Sequence, residues 1–185
     1  MDEADPLADL VAAIAGVERI VARIRADQWD LPTPCDGVDV RAMVNHLVSG
    51  NLAFITLITG TGPPVRDADH LGDDPFFALR ASADLLVAAL RAPGAETRTY
   101  ALPFGQVPGP ELAGIRLTEF LGHGWDLARA TGQPSDFPDT VAERGLVEAR
   151  SQLRSRSPGP FAPEQSAPAG APVIDRLAAF LGRTI

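Results

Sequence analysis

Residues 110–132, PELAGIRLTEFLGHGWDLARATG, decide the fold class. Pro110 opens the stretch, where a missing N–H costs a helix nothing, and Gly132 closes it, where a helix ends most easily. Between them Leu112, Ile115, Glu119, Gly122, His123 and Asp126 recur at three- and four-residue steps and share one face. The pattern predicts a helix from Pro110 to about Ala130. Leu112 and Ile115 turn that face inward, and it becomes polar partway along. A buried carboxylate or imidazole needs a partner. Gly122 and Gly124 flank His123, and each costs roughly 1 kcal/mol against alanine inside a helix. They are expected where a cofactor or a neighbouring helix comes close.

The same period recurs outward from this stretch. Asp5-Pro6 starts a helix expected to reach Arg25, with Leu7, Leu10, Val11, Ile14, Val17, Val21 and Ile24 in one stripe. Residues 29–37, WDLPTPCDG, read as a loop, because two closely spaced prolines fit neither a helix nor a central strand. Asp39 caps a second helix from Val40 to Thr59, with Met43, Val44, Leu47 and Val48 inward and Gly60-Thr61-Gly62-Pro63-Pro64 as its stop. A polar stretch runs to Asp74. Asp74-Pro75 then opens a third helix to about Arg91, with Phe76, Leu79, Ala83, Leu86, Val87 and Leu90 inward and Pro93-Gly94 after it. Thr97 to Val107 is too short and broken for a helix. It is expected to be an extended loop or a small hairpin around Phe104-Gly105-Gln106. Thr140 to Arg154 makes a fifth helix of weaker period, Ser155 to Pro172 a long Pro/Ser/Ala/Gly loop, and Val173 to Leu181 a last helix that docks. There is no internal repeat. The expectation is an all-α protein: a four-helix bundle with a C-terminal helical extension, in a single domain over residues 1–185. Its bundle core is expected over about 5–155, and its loop and docking helix over about 156–185.

Of the 185 residues, 45% are hydrophobic, enough for a packed core. The formal charge of −8 and sixteen scattered basic residues, all arginine, disfavour nucleic-acid and anionic-membrane partners. Cys35 is the only cysteine, which excludes an intrachain disulfide. The acidic N-terminus does not read as a signal peptide, and the apolar stretches read as shorter than a bilayer span. A cytoplasmic location is therefore expected.

The chain has three histidines, which narrows the search for chemistry. Glu119 and His123, four residues apart, stand one above the other. Alone they read equally as a satisfied Glu–His pair on a half-exposed face. His46 adds a third donor from the second helix, beside the small residues Ala42, Ser49, Gly50 and Ala53. Such small neighbours leave space for a metal and its exogenous ligand, or else admit another helix. His70 reads as a surface residue. Two imidazoles and a carboxylate suit zinc with a fourth position open, and are compatible with nickel or iron(II). An open position suits catalysis better than structure. Asp126 is placed to hydrogen-bond the free nitrogen of a ligating histidine, or is a surface acid. Arg80, on the third helix, is either a bidentate partner for a substrate carboxylate or a surface cation. Trp125 reads as core. Cys35 reads as a packed thiol, with no base nearby to make it a nucleophile.

Residues 33–51, TPCDGVDVRAMVNHLVSGN, and 117–134, LTEFLGHGWDLARATGQP, in that order, resemble the N-terminal metal-binding domain of the mycothiol-dependent maleylpyruvate isomerase family. That family lies within the DinB-like bundle superfamily. The ending, 171–183, APVIDRLAAFLGR, is similar to an actinobacterial subgroup without the additional C-terminal domain that helps form the isomerase's active site. The resemblance implies a DinB-like bundle with a divalent metal, commonly zinc, on His46, Glu119 and His123. It also implies mycothiol as cosubstrate, activated as a thiolate that attacks an electrophilic small molecule. Val38 stands where the family often has Trp. Without the extra domain, the expectation is a thiol transferase or isomerase acting on another electrophile than maleylpyruvate. The alternatives are a non-catalytic metal-binding bundle and a hydrolase that activates water on its metal. The superfamily also provides a precedent for a homodimer through a bundle face.

Overall fold

Three aspartates start helices by one device. In the computed structural model, which describes residues 5–62, 68–153 and 162–185, Oδ1 of Asp5 accepts from the Leu7 N–H at 3.0 Å. Asp39 does the same for Ala42 at 2.7 Å, and Asp74 for Phe77 at 3.0 Å. Each satisfies a donor that the first turn leaves without a partner. The helices so begun are α1 (Pro6–Val21), α2 (Val40–Thr59) and α3 (Pro75–Leu90). They are followed by α4 (Glu111–Thr131), α5 (Asp139–Gln152) and α6 (Val173–Phe180). Gly60 and Gly132, both left-handed, end α2 and α4.

One boundary differs from expectation, and one open reading is decided. Helix α1 stops at Val21 rather than Arg25, and the chain then makes a single 3-10 turn at Ala26–Gln28. A tertiary bond competes there: buried Gln28 donates to the Thr131 carbonyl at 2.9 Å and accepts from the Arg25 N–H at 3.0 Å. Thr97–Val107 resolves as a hairpin, β1 (Thr99–Leu102) against β2 (Gly105–Pro108), antiparallel with Tyr100 opposite Val107. Those two residues are buried in a small cluster with Ile58, Ala89, Ala95 and Leu112. Pro63 and Pro64, expected to help stop α2, lie outside the described residues. So do Arg154 and the loop from Ser155 to residue 161.

Helix α1 packs on α3 and α4, and α2 packs on the same two, so the cyclic order is α1-α4-α2-α3. Helices α5 and α6 lie together on the far side of α4. The result is an all-α four-helix bundle with a C-terminal helical extension. Helix α2 departs from one expectation: by length and composition it reaches the range of a membrane-spanning helix, with a mean hydropathy of 1.4 over its best window. Its residues Val40, Met43, Val44, Leu47, Val48 and Ile58 are buried within the protein.

Helix α4 is covered on both sides and therefore buries Arg116, Thr118, His123, Asp126 and Thr131. Its glycines answer to packing. A Cβ on Gly124 would lie 2.6 Å from Phe137 Cζ and 2.9 Å from Val17 Cγ2, and one on Gly122 would lie 2.9 Å from Leu181 Cδ1. Of the two expected causes, neighbouring elements approach here.

Candidate metal centre

Helices α2 and α4 bring His46, Glu119 and His123 together. Nε2 of His46 lies 3.1 Å from Glu119 Oε2, and Nε2 of His123 lies 3.4 Å from the same oxygen. All three donor atoms fall within 4.8 Å of one another. The two rings stand edge to face, with centroids 4.9 Å apart. Tetrahedral zinc with ligands near 2.0–2.1 Å separates its donors by about 3.3 Å. The donor types and the two separations from Glu119 match such an ion, and the His46–His123 pair, held within 4.8 Å, would close on it. Exposure falls inward: the His46 side chain keeps 54% of its surface, Glu119 23% and His123 11%. His46 forms the rim.

Both rings turn Nε2 toward Glu119, and for His123 the cause is visible. Nδ1 of His123 meets Asp126 Oδ2 at 3.2 Å. A carboxylate only accepts, so Nδ1 carries the proton and leaves Nε2 to the centre. The placement expected of Asp126 is thus observed, and Asp126 is fully buried rather than a surface acid. Its charge is held by Arg183, which donates from Nε to Oδ1 at 3.1 Å and from Nη2 to Oδ2 at 2.7 Å. Burial would raise the Asp126 carboxyl, but His123 and Arg183 hold it below its usual value.

Beneath Glu119 lies a second buried cation. Arg116 is 2% exposed. Nη1 stands 4.0 Å from Glu119 Oε2, and Nη2 donates to Asn51 Oδ1 at 2.9 Å and to the Leu47 carbonyl at 3.2 Å. Asn51 passes the chain on to Ser82 Oγ at 3.0 Å, which donates to the Leu79 carbonyl at 2.8 Å. One buried polar line therefore joins α4, α2 and α3. The guanidinium also lies over Phe54 and Phe120, 5.5 and 5.2 Å from their centroids. Burial pushes Glu119 up, yet hydrogen bonds with His123 and His46 and the charges of His123 and Arg116 outweigh it and hold it well below the carboxylate range. For His123, burial pushes the imidazole down, and Asp126 and Glu119 reverse this and raise it.

The centre opens into a cavity of about 350 Å³ lined by Cys35, Val38, Ala42, Met43, His46, Glu119, His123 and Arg183. Of the small residues expected to leave room beside His46, Ala42 faces this cavity. The space at Gly50 is filled by Arg116, because a Cβ there would lie 2.5 Å from Nη1. Ala53 is exposed, and Ser49 bonds the Asn45 carbonyl within its own helix. Burial pushes the Cys35 thiol up, which favours its protonated form.

Arg80 is not brought to this site. It is exposed on α3, where its charge acts on Glu18 of α1. His70 is half-buried rather than a surface residue, and its N–H donates to Asn45 Oδ1 at 2.9 Å. Trp125 is core, 1% exposed, and its Nε1 donates to Asp175 at 2.7 Å.

The two arginines that frame the centre, Arg116 and Arg183, escaped the sequence reading. Arg116 had a signal, since it precedes Glu119 by three residues and His123 by seven on the same face. Arg183, distant in sequence, had none.

A family model described as the mycothiol maleylpyruvate isomerase N-terminal domain matches residues 10–128. Two uncharacterized proteins of Mycobacterium tuberculosis, from strains H37Rv and CDC 1551 / Oshkosh, are each 38% identical over 184 residues, covering 98% of this chain and 99% of the relative. A crystal structure of a mutant of the mycothiol-dependent maleylpyruvate isomerase matches with a TM-score of 0.64 at 16% identity, over 83% of this chain and 72% of that one. At that identity the likeness is one of fold, the DinB-like bundle.

Proposed function

Because this chain belongs to the mycothiol maleylpyruvate isomerase N-terminal domain family, we propose that it is a metal-dependent enzyme that uses a low-molecular-weight thiol, mycothiol foremost, on a small electrophilic substrate. The reaction is either transfer of the thiol or isomerisation. The observation that carries this reading is the convergence of His46, Glu119 and His123 at one end of an open cavity. These three residues would hold the ion, zinc foremost, with nickel or iron(II) also accommodated by the donor set.

A divalent ion supplies a Lewis acid that lowers the pKa of a coordinating thiol from its free value of about 8.5. The protein's own charges favour an anionic ligand beside it. Glu119 and Asp126 are matched by Arg116 and Arg183, so the charge of the ion is not cancelled by its surroundings. Asp126 fixes the tautomer of His123, and His123 and His46, with Arg116 after them, keep Glu119 ionised. Val38, Ala42 and Met43 give the cavity an apolar wall that strengthens electrostatics and favours an apolar substrate portion. His46, at the rim, leaves the centre accessible.

Calorimetric titration with mycothiol of the metal-loaded and the metal-free protein tests this reading. Binding to the loaded form alone is expected. No binding to either form, with the metal site shown to be full by elemental analysis, would overturn the thiol reading and favour a hydrolase or a non-catalytic bundle.

A further inference from the structure

We propose that Arg183, in the segment after α6, is a positioning residue of the metal centre: it fixes Asp126, and through Asp126 the ligand ring of His123. The inference rests on the metal reading above and extends it to a part of the chain beyond residue 128, where the family match ends.

The sequence places Arg183 by three constraints. Helix α6 buries Ile174, Leu177 and Ala178, and Leu181 after it packs on Gly122, one residue before His123. Gly182 then adopts φ 94°, a left-handed turn that a side chain rarely takes, and a Cβ there would also lie 2.7 Å from Ala162. The turn is closed by the Arg183 N–H on the Ala178 carbonyl at 3.0 Å. It directs the side chain back toward α4, where it is 8% exposed. Nη1 donates to the Leu181 carbonyl at 2.9 Å, so the chain's own backbone fixes the plane of the guanidinium.

That plane presents a fork to Asp126. Both carboxylate oxygens are engaged, and the one nearer His123 receives Arg183 Nη2 as well as His123 Nδ1. A bidentate pair defines the orientation of a carboxylate, which a single hydrogen bond does not. A carboxylate on the free nitrogen of a ligating histidine normally orients the ring and raises its basicity. A guanidinium on the same carboxylate keeps the orientation and draws charge away from the ring. An ion held there retains more of its positive charge for an exogenous anion. Without Arg183, Asp126 would be a buried charge with one hydrogen bond, free to rotate and to take the ring with it.

The test compares variants by zinc affinity, in competition with a chromophoric chelator, and by the visible spectrum of the cobalt(II)-substituted protein. R183M is expected to weaken zinc binding by about 10- to 100-fold and to change the cobalt spectrum. R183K, which keeps the charge and loses the fork, is expected to fall between R183M and wild type. D175A removes a different link from the C-terminal segment, the acceptor of the Trp125 bond, and is expected to leave both readouts unchanged. Wild-type zinc affinity in R183M overturns the proposal, and so does an equal loss in D175A, which would assign the effect to docking in general. Should R183M not fold, R183K decides: wild-type values in both readouts overturn the proposal. Failure of the wild-type protein to take up any ion would instead remove the metal reading itself.

Discussion

One oxygen, Oε2 of Glu119, meets both imidazoles and faces the Arg116 guanidinium. Replacement of His46, Glu119 or His123 by alanine is therefore expected to reduce bound metal, read as zinc per chain after dialysis, whereas His70→Ala should not. The ion must also displace a proton. The folded-state pKa of His123 is raised, so in the ion-free protein its protonated form contributes stability that is complete below the unfolded value of about 6.5. That contribution is lost as pH rises through the raised value. For Glu119 the sign is opposite, because its pKa is lowered: its contribution is present above about 4.3 and is lost as pH falls through the lowered value. Apparent zinc affinity is thus expected to fall as pH drops through the raised His123 value, and chelator competition at several pH values measures it. The convergence of His46, Glu119 and His123 could be anticipated from the sequence because histidine is rare here and a four-residue spacing fixes a shared face. For Arg80 the sequence left two readings open, because a helix position does not say which neighbour it will face, and the surface cation is the one observed.

At the scale of elements, α4 is the helix on which both halves of the molecule close, and its polar residues are buried by α6 on one side and the bundle on the other. Leu177, fully buried in α6, tests that closure. Leu177→Ala is expected to cost about 2–5 kcal/mol, measured by urea unfolding of the ion-free protein. A loss below about 1 kcal/mol would mean that α6 is only loosely attached. The caps at Asp5, Asp39 and Asp74 were legible because each stands directly before a helical period. The early end of α1 was not, because Ile24 continues the stripe. The chain beyond that end is held by the bond from Gln28 to Thr131, which no local pattern announces.

For the whole molecule, the six helices followed from periodicity, while their cyclic order did not. Each apolar stripe states that it is buried, not against which partner. Loops of this length permit several bundle topologies, and the order α1-α4-α2-α3 goes with side-chain fit, such as Gly50 under Arg116 and Gly124 under Val17. The separation of His46 from Glu119, 73 positions along the chain, has a thermodynamic consequence. A chain with one cysteine has no covalent staple of its own, and an ion bridging these residues closes a long loop reversibly. Because the folded protein assembles the donors and the unfolded chain does not, free ion at 100 times its Kd should add about 2.7 kcal/mol of stability. For a chain of this size that is a rise in Tm of about 5–10 °C. The midpoint should track the logarithm of free zinc, return to its ion-free value on adding chelator, and become independent of zinc when Glu119 is replaced by alanine.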